Sequence, residues 1–139
     1  MNNQEAFDAV MNWLTRPGAS QCIGEDGGCV YYDPITDNRC AIGGIIPLDQ
    51  AKELGNLAIG IEGLMIEYNY LDSFEEEDVR VISQVTLDSI RSQFSECDED
   101  LLDDLQRLHD TVENWRDNRF VGYGNAERIA DRYGLNYAG

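Results

Sequence analysis

The alternation of apolar and polar residues predicts amphipathic helices, and the first of them covers residues 4–15. Asn2 and Glu5 have the spacing of a capping box, in which each side chain accepts a hydrogen bond from the backbone of the other residue. Pro17 and Gly18 then end the helix. The apolar side chains of this helix share one face: Ala6, Phe7, Val10, Trp13 and Leu14.

Further helices are predicted along the rest of the chain. They cover residues 48–54, residues 62–71, a segment from the capping-box pattern at 73–76 to about residue 94, residues 99–115 and residues 125–133. The clearest is 99–115, where Asp98 is a natural N-cap, the leucines and Trp115 share one face, and His109 lies at the edge of that face. Gly55 and Gly134 are expected to end their helices, and Gly134 has the form of a Schellman stop.

Residues 28–43 interrupt the helical pattern and predict a β-hairpin. Residues 29–32 are rich in strand formers, residues 33–38 have turn chemistry, and residues 39–42 are expected to form the second strand. An isolated hairpin is marginal in water, so we expect it to pack against helices. The predicted fold class is α+β, mostly α-helical with one β-hairpin. No repeat, low-complexity tract or linker divides the chain, and residues 1–139 are therefore expected to form a single globular domain.

The net charge of the chain limits the classes of partner that the protein can bind. There are 27 acidic residues against 10 basic ones, a net charge of −17. This balance argues against direct binding to nucleic acid or to an anionic membrane, because both require a basic surface. No apolar run approaches the roughly 20 residues that span a bilayer, and no signal-peptide pattern precedes the first helix. A cytoplasmic protein with reduced thiols is therefore expected.

The acids concentrate in the middle of the chain: residues 61–104 hold 14 acids and 2 bases, whereas residues 105–139 hold 5 of each. The candidate partner-binding residues are Glu75, Glu76, Glu77, Asp78, Asp98, Glu99, Asp100, Asp103 and Asp104. One interpretation is solvated helix starts, which the helix dipole favours. Calcium binding is a second, although the D-x-[DN]-x-[DN]-G loop is absent. The third is an acidic docking surface, including mimicry of the phosphates of nucleic acid.

Basic residues near the C-terminus have an intramolecular interpretation. Since guanidinium forks suit carboxylates, these arginines are expected to pair with the acidic excess. They are Arg116, Arg119, Arg128 and Arg132.

Candidate metal and catalytic residues are few. Zinc binding by Cys22, Cys29 and Cys40, with Cys97, is one alternative, but the spacing lacks the two close pairs typical of zinc knuckles. Buried thiols are the simpler interpretation. His109 is the only histidine, so it is expected to be a packed, hydrogen-bonded side chain. No nucleophile–base pair or phosphate loop is evident, so neither an enzyme nor a cofactor is predicted; an enzyme of unrecognised type stays an alternative.

Two motifs resemble those of a family of small uncharacterised bacteriophage and prophage proteins. The first runs from GCVYY at residues 28–32 to RCAIGGIIP at 39–47, and the second is LQRLHD at 105–110. Trp115 and the YGL at 133–135 fit the same layout. The resemblance implies no activity, but it does imply a phage context in which an early protein modulates a host factor. We therefore expect a non-enzymatic acidic protein in the host cytoplasm that docks on a basic site of a host protein, as an inhibitor or a nucleic-acid mimic in counter-defence.

Overall fold

The computed structural model describes residues 1–22, 31–33, 36–55, 84–117 and 119–137. The predicted helix at 62–71, the capping box at 73–76, the acids 75–78 and Cys29 lie outside these residues. The described elements are α1 (Asn3–Leu14), β1 (Tyr32–Asp33), β2 (Asn38–Arg39), α2 (Ala41–Ile45), α3 (Leu48–Leu54), α4 (Gln84–Gln93), α5 (Glu99–Asp110), a 3-10 turn (Val112–Asn114), β3 (Trp115–Arg116), β4 (Arg119–Phe120) and α6 (Tyr123–Tyr133). The fold is α+β and mostly helical, which confirms the predicted class.

Several predicted helix ends are confirmed by their hydrogen bonds. The Glu5 N–H donates to the Asn2 Oδ1 at 2.9 Å, and the Asn2 N–H donates to the Glu5 carboxylate at 3.0 Å, which completes the capping box of α1. Helix α3 ends at Gly55, whose φ of 53° lies in the left-handed region. Helix α6 ends in a Schellman motif, in which the Leu135 N–H donates to the Ala130 carbonyl at 2.8 Å.

The second strand of the predicted hairpin is shorter than the sequence indicated. Among the described residues the strands of the hairpin pair Tyr32 with Arg39 and Asp33 with Asn38, while residues 28–30, 34 and 35 of the prediction lie outside them. The expected second strand at 39–42 is wrong beyond Arg39 because α2 begins at Ala41. The Cys40 Sγ accepts a hydrogen bond from the Gly43 N–H at 3.3 Å and so caps this helix. A buried N-cap therefore decides the structure here, where local strand propensity predicted otherwise.

A second two-stranded hairpin, β3–β4, lies where the sequence predicted the end of a helix. Trp115 pairs with Phe120, and Arg116 with Arg119. Asp117 in the turn has a φ of 52°, a left-handed conformation that aspartate tolerates better than most residues. The prediction of one hairpin is corrected to two within the described residues.

Helix α5 ends at Asp110, five residues before the predicted end at 115. Its last carbonyls have no partner within the helix and are satisfied by side chains from elsewhere. The Asn114 Nδ2 donates to the Leu108 carbonyl at 2.9 Å, and the Trp115 Nε1 donates to the His109 carbonyl at 2.8 Å. Gln21 Nε2 reaches the Asp110 carbonyl at 2.9 Å. These donors cap the helix at a point where its periodicity gives no signal to stop.

The hydrophobic core is built around α5, which contacts α1, α2 and α6. Each fully buried Leu, Ile or Phe contributes about 1.5–3 kcal/mol through burial. The largest fully buried side chains are Phe7, Leu14, Ile42, Leu54, Ile90, Phe94, Leu101, Leu102 and Leu105. None of the described helices has the length and apolar character needed to cross a membrane.

The two ends of the described chain meet beside α1. The Gln4 Nε2 donates to the Asn136 carbonyl at 3.0 Å, and the Asn136 N–H donates to the Gln4 Oε1 at 2.8 Å. The Tyr137 ring lies edge-on to Phe7, with 5.3 Å between the ring centroids. We call this set of contacts the terminal clasp.

Candidate functional site

The first turn of α5 carries the exposed part of the predicted acidic set. Asp98, Glu99 and Asp100 are all exposed. Their position follows from the helix itself, because the unpaired N–H groups of a helix N-terminus favour negative side chains. The structure therefore brings three of the predicted partner-binding residues together at one point of the surface.

Asp98 occupies the predicted N-cap position, but its side chain makes no capping hydrogen bond. It pairs with Asn3 instead: the Asn3 Nδ2 donates to the Asp98 carboxylate at 3.1 Å, and the Asp98 N–H donates to the Asn3 Oδ1 at 2.8 Å. Asn2 also forms an isolated parallel bridge with Glu96. These contacts hold the N-terminal ends of α1 and α5 side by side.

This juxtaposition adds two carboxylates that the sequence analysis did not select. Glu5 on α1 and Glu96 before α5 are both exposed. Burial raises the pKa of the half-buried Cys97 thiol; the N-terminal ammonium opposes this rise, and the charges of Asp98, Glu5 and Glu96 add to it. One side chain thus feels acids from both helix ends. The acidic surface is defined here as Glu5, Glu96, Asp98, Glu99 and Asp100.

The two other predicted acids that the structure describes, Asp103 and Asp104, form ion pairs and are not counted in this surface. Arg107 pairs with Asp103 at 2.9 Å, four residues earlier on α5. Arg132 on α6 pairs with Asp104 at 3.1 Å, and the Tyr133 hydroxyl donates to the same carboxylate at 2.8 Å. The Asp104 side chain keeps only 16% of its exposure. Asp103 and Asp104 are therefore partly neutralised by the protein's own arginines.

The acidic surface has no such counter-charge among the residues that the structure describes. None of its five carboxylates has an arginine or lysine within ion-pair distance in that part of the chain. Among the described residues, the predicted pairing of the C-terminal arginines is confirmed for Arg132. Arg116, Arg119 and Arg128 have no ion pair with a described carboxylate, and Arg128 donates to the Asn125 Oδ1 at 2.9 Å.

His109 is the packed, hydrogen-bonded histidine that the sequence predicts, although it is fully buried and not at the edge of the core. Its Nε2 accepts a hydrogen bond from the Cys22 N–H at 3.0 Å, so the ring proton lies on Nδ1. Nδ1 then donates to the Asp110 carboxylate at 2.8 Å. Both ring nitrogens are thus engaged in the fold, which leaves neither available as a proton acceptor for a substrate.

Two of the three described cysteines, Cys22 and Cys40, are buried thiols. Burial raises the pKa of Cys22 to about 11 and that of Cys40 to about 12, so both are protonated at neutral pH. Their sulfurs are free of disulfides. Within the described ranges, no group of three or more potential metal-ligating side chains comes together. Cys29, which the zinc alternative also requires, lies outside those ranges.

Comparisons of the chain with protein-family models, with curated proteins and with solved structures found no match. The predicted resemblance to phage proteins therefore stays a prediction. The function is therefore inferred from the net charge, the exposure of the side chains and their ion pairs.

Proposed function

We propose that this chain is a non-enzymatic binding protein that docks through its acidic surface on a basic site of a partner protein. The observation that supports this most directly is that five exposed carboxylates lie at the adjoining ends of α1 and α5 without an ion pair to any arginine or lysine that the structure describes. Elsewhere on α5 the protein uses its arginines to pair two aspartates. Carboxylates that no described arginine or lysine neutralises can pair with the basic groups of another protein.

An acidic surface of this kind attracts a basic partner by long-range electrostatic forces. Carboxylates of one sign within a Debye length of about 8 Å act together at physiological salt. The net charge of −17 adds attraction at longer range. Together they accelerate capture of a cationic partner and orient it on encounter, whereas the residual affinity depends on contacts formed afterwards.

A nucleic-acid-binding protein is the partner class that this chemistry favours. A groove lined with lysine and arginine to hold a phosphate backbone also accepts a series of carboxylates. The resemblance to phage proteins extends the proposal to a host protein, with inhibition of a defence or nucleic-acid-handling factor as the outcome. Glu75, Glu76, Glu77 and Asp78 belong to the same proposal on their sequence alone.

The test compares two charge-neutralising double variants in capture from bacterial lysate. Glu99→Gln with Asp100→Asn removes two charges from the acidic surface. Glu113→Gln with Asp117→Asn is the matched control, because these two acids are exposed and lie after α5. The unmodified protein is expected to retain a basic protein at low salt and to release it as salt rises. The first variant is expected to weaken retention by about tenfold, while the control retains it fully.

Competition then identifies the partner class. Duplex DNA added to the column is expected to displace the retained protein if both occupy one groove. Equal retention by the two double variants, or no basic protein bound at low salt, contradicts the proposal.

A further inference from the structure

A groove lined by arginine runs between α5 and α6, separate from the acidic surface. It is open to solvent and has a volume of about 340 Å³. Arg107 projects from α5, and Arg128 and Arg132 project from α6 four residues apart, which places them on one helix face. Three of the ten basic residues of a strongly acidic protein therefore line a single cavity.

Within the described part of the chain, few of the guanidinium donors of the groove are used by the protein. A guanidinium has five N–H groups. Arg107 donates to Asp103, Arg132 to Asp104 and Arg128 to Asn125. Arg107 and Arg132 keep 72% and 65% of their side-chain exposure. Most of the donors that line the groove are thus available to a ligand.

The polar wall of the groove is held in place from beneath. Asn114 lies at the base and is only 3% exposed. Its Nδ2 donates to the Leu108 carbonyl at 2.9 Å, and its Oδ1 accepts from the Asn125 Nδ2 at 2.7 Å. Asn125 in turn accepts from Arg128 at 2.9 Å. A continuous series of hydrogen bonds therefore runs from α5 through Asn114 to an arginine of the groove, which reduces the cost of ordering that side chain on binding.

We propose that this groove binds the phosphate group of a small phosphorylated molecule. Guanidinium forks bind phosphate through paired hydrogen bonds, and the tetrahedral oxygens of a phosphate reach forks on both walls of the groove. A carboxylate has two oxygens and satisfies a single fork. The cavity exceeds the size of a phosphate, which leaves room for the rest of a small molecule.

The overall negative charge is compatible with this ligand. Beyond about 8 Å, exposed charges are largely screened at physiological salt. The lining of the groove itself holds three guanidinium groups and one carboxylate, that of Asp104, so the charge that a small ligand meets there is net positive. Residues 105–139 are also neutral as a set, with five acids and five bases. A long polyanion would extend over the rest of the surface and be repelled.

The experiment titrates the protein with inorganic phosphate at constant ionic strength and follows backbone amide resonances. Saturable shifts confined to α5 and α6 are expected. Arg128→Gln is expected to weaken binding by about tenfold or more, because a charge-assisted pair is lost. Arg116→Gln, which removes the same charge from an exposed position outside the groove, is expected to bind as the unmodified protein does.

Three further arms complete the test. Arg128→Lys keeps the charge but loses the fork, so weaker binding with an unchanged fold is expected. Ribose 5-phosphate is expected to bind more tightly than inorganic phosphate, whereas acetate is expected to bind far more weakly. Equal losses in Arg128→Gln and Arg116→Gln, acetate binding as tight as phosphate, or no saturation would each overturn the proposal. The Glu99→Gln/Asp100→Asn variant is expected to bind phosphate normally, so failure of the docking proposal leaves this one standing.

Discussion

Replacing Asn114 with alanine is predicted to destabilise the protein more than any exposed polar substitution near it. Asn114 is buried, and its amide links the last turn of α5 to the first turn of α6. Alanine removes both side-chain hydrogen bonds. It also leaves the Leu108 carbonyl, an orphan acceptor of a helix C-terminus, without its donor.

The magnitude follows from these two changes. Loss of the bond to Asn125 costs about 1 kcal/mol, and the buried Leu108 carbonyl, left without its donor, costs about 1–3 kcal/mol in place of the bond it made. The predicted loss in the free energy of unfolding is about 3 kcal/mol. The entropy of unfolding at the midpoint is about 0.3 kcal/mol/K for a chain of this length, so the melting temperature is expected to fall by about 10 °C.

Urea unfolding followed by circular dichroism measures this change, with Asn125→Ala as the matched control. Asn125→Ala removes the 2.7 Å bond to the Asn114 Oδ1 but keeps the Leu108 carbonyl capped. Because Asn125 is exposed, water can take the place of its amide at the Oδ1, and a loss of about 1 kcal/mol is expected. The reasoning is refuted if Asn114→Ala unfolds within about 1 kcal/mol of the unmodified protein, or if the control is equally destabilised.

Two other predictions concern the buried thiols and the glycines. Because burial raises the pKa of Cys22 to about 11 and that of Cys40 to about 12, from an ordinary 9.0, their stabilising contribution is complete below about pH 9 and is lost as pH rises through these values. The free energy of unfolding is therefore expected to fall above pH 9, and a flat profile from about pH 8 to 11 would contradict this. Gly43→Ala places a Cβ against the Tyr31 carbonyl and is expected to lower the free energy of unfolding by about 1–3 kcal/mol. Gly124→Ala, with open space around it, is expected to be neutral or to stabilise the protein by up to about 1 kcal/mol. Similar melting temperatures for the two variants would contradict this difference.

Features decided by neighbours in sequence were the predictable ones. The Asn2–Glu5 capping box and the Gly134 stop involve residues within five positions of one another, so the pattern of residue types specifies them. The pairing of Arg107 with Asp103 has the same local character, because residues four apart adjoin on a helix.

Features that depend on distant residues were predicted incorrectly or missed. The end of α5 depends in part on Gln21, whose amide lies 89 positions away from the carbonyl it reaches. The acidic surface gains Glu5 only because Asn3 pairs with Asp98 across 95 positions. The arginine groove likewise requires α6 to pack on α5, which helical periodicity within either segment does not indicate.

The terminal clasp has a consequence for the timing of assembly. Its Gln4–Asn136 hydrogen bonds join residues 132 positions apart in the sequence. Contacts of such range form slowly, because closing the intervening loop costs conformational entropy before the contact is made. On a ribosome, α1 leaves the exit tunnel long before either α5 or Asn136 has been made. A nascent chain therefore lacks the paired helix ends of the acidic surface until synthesis has passed residue 100, and the proposed docking would be deferred until then.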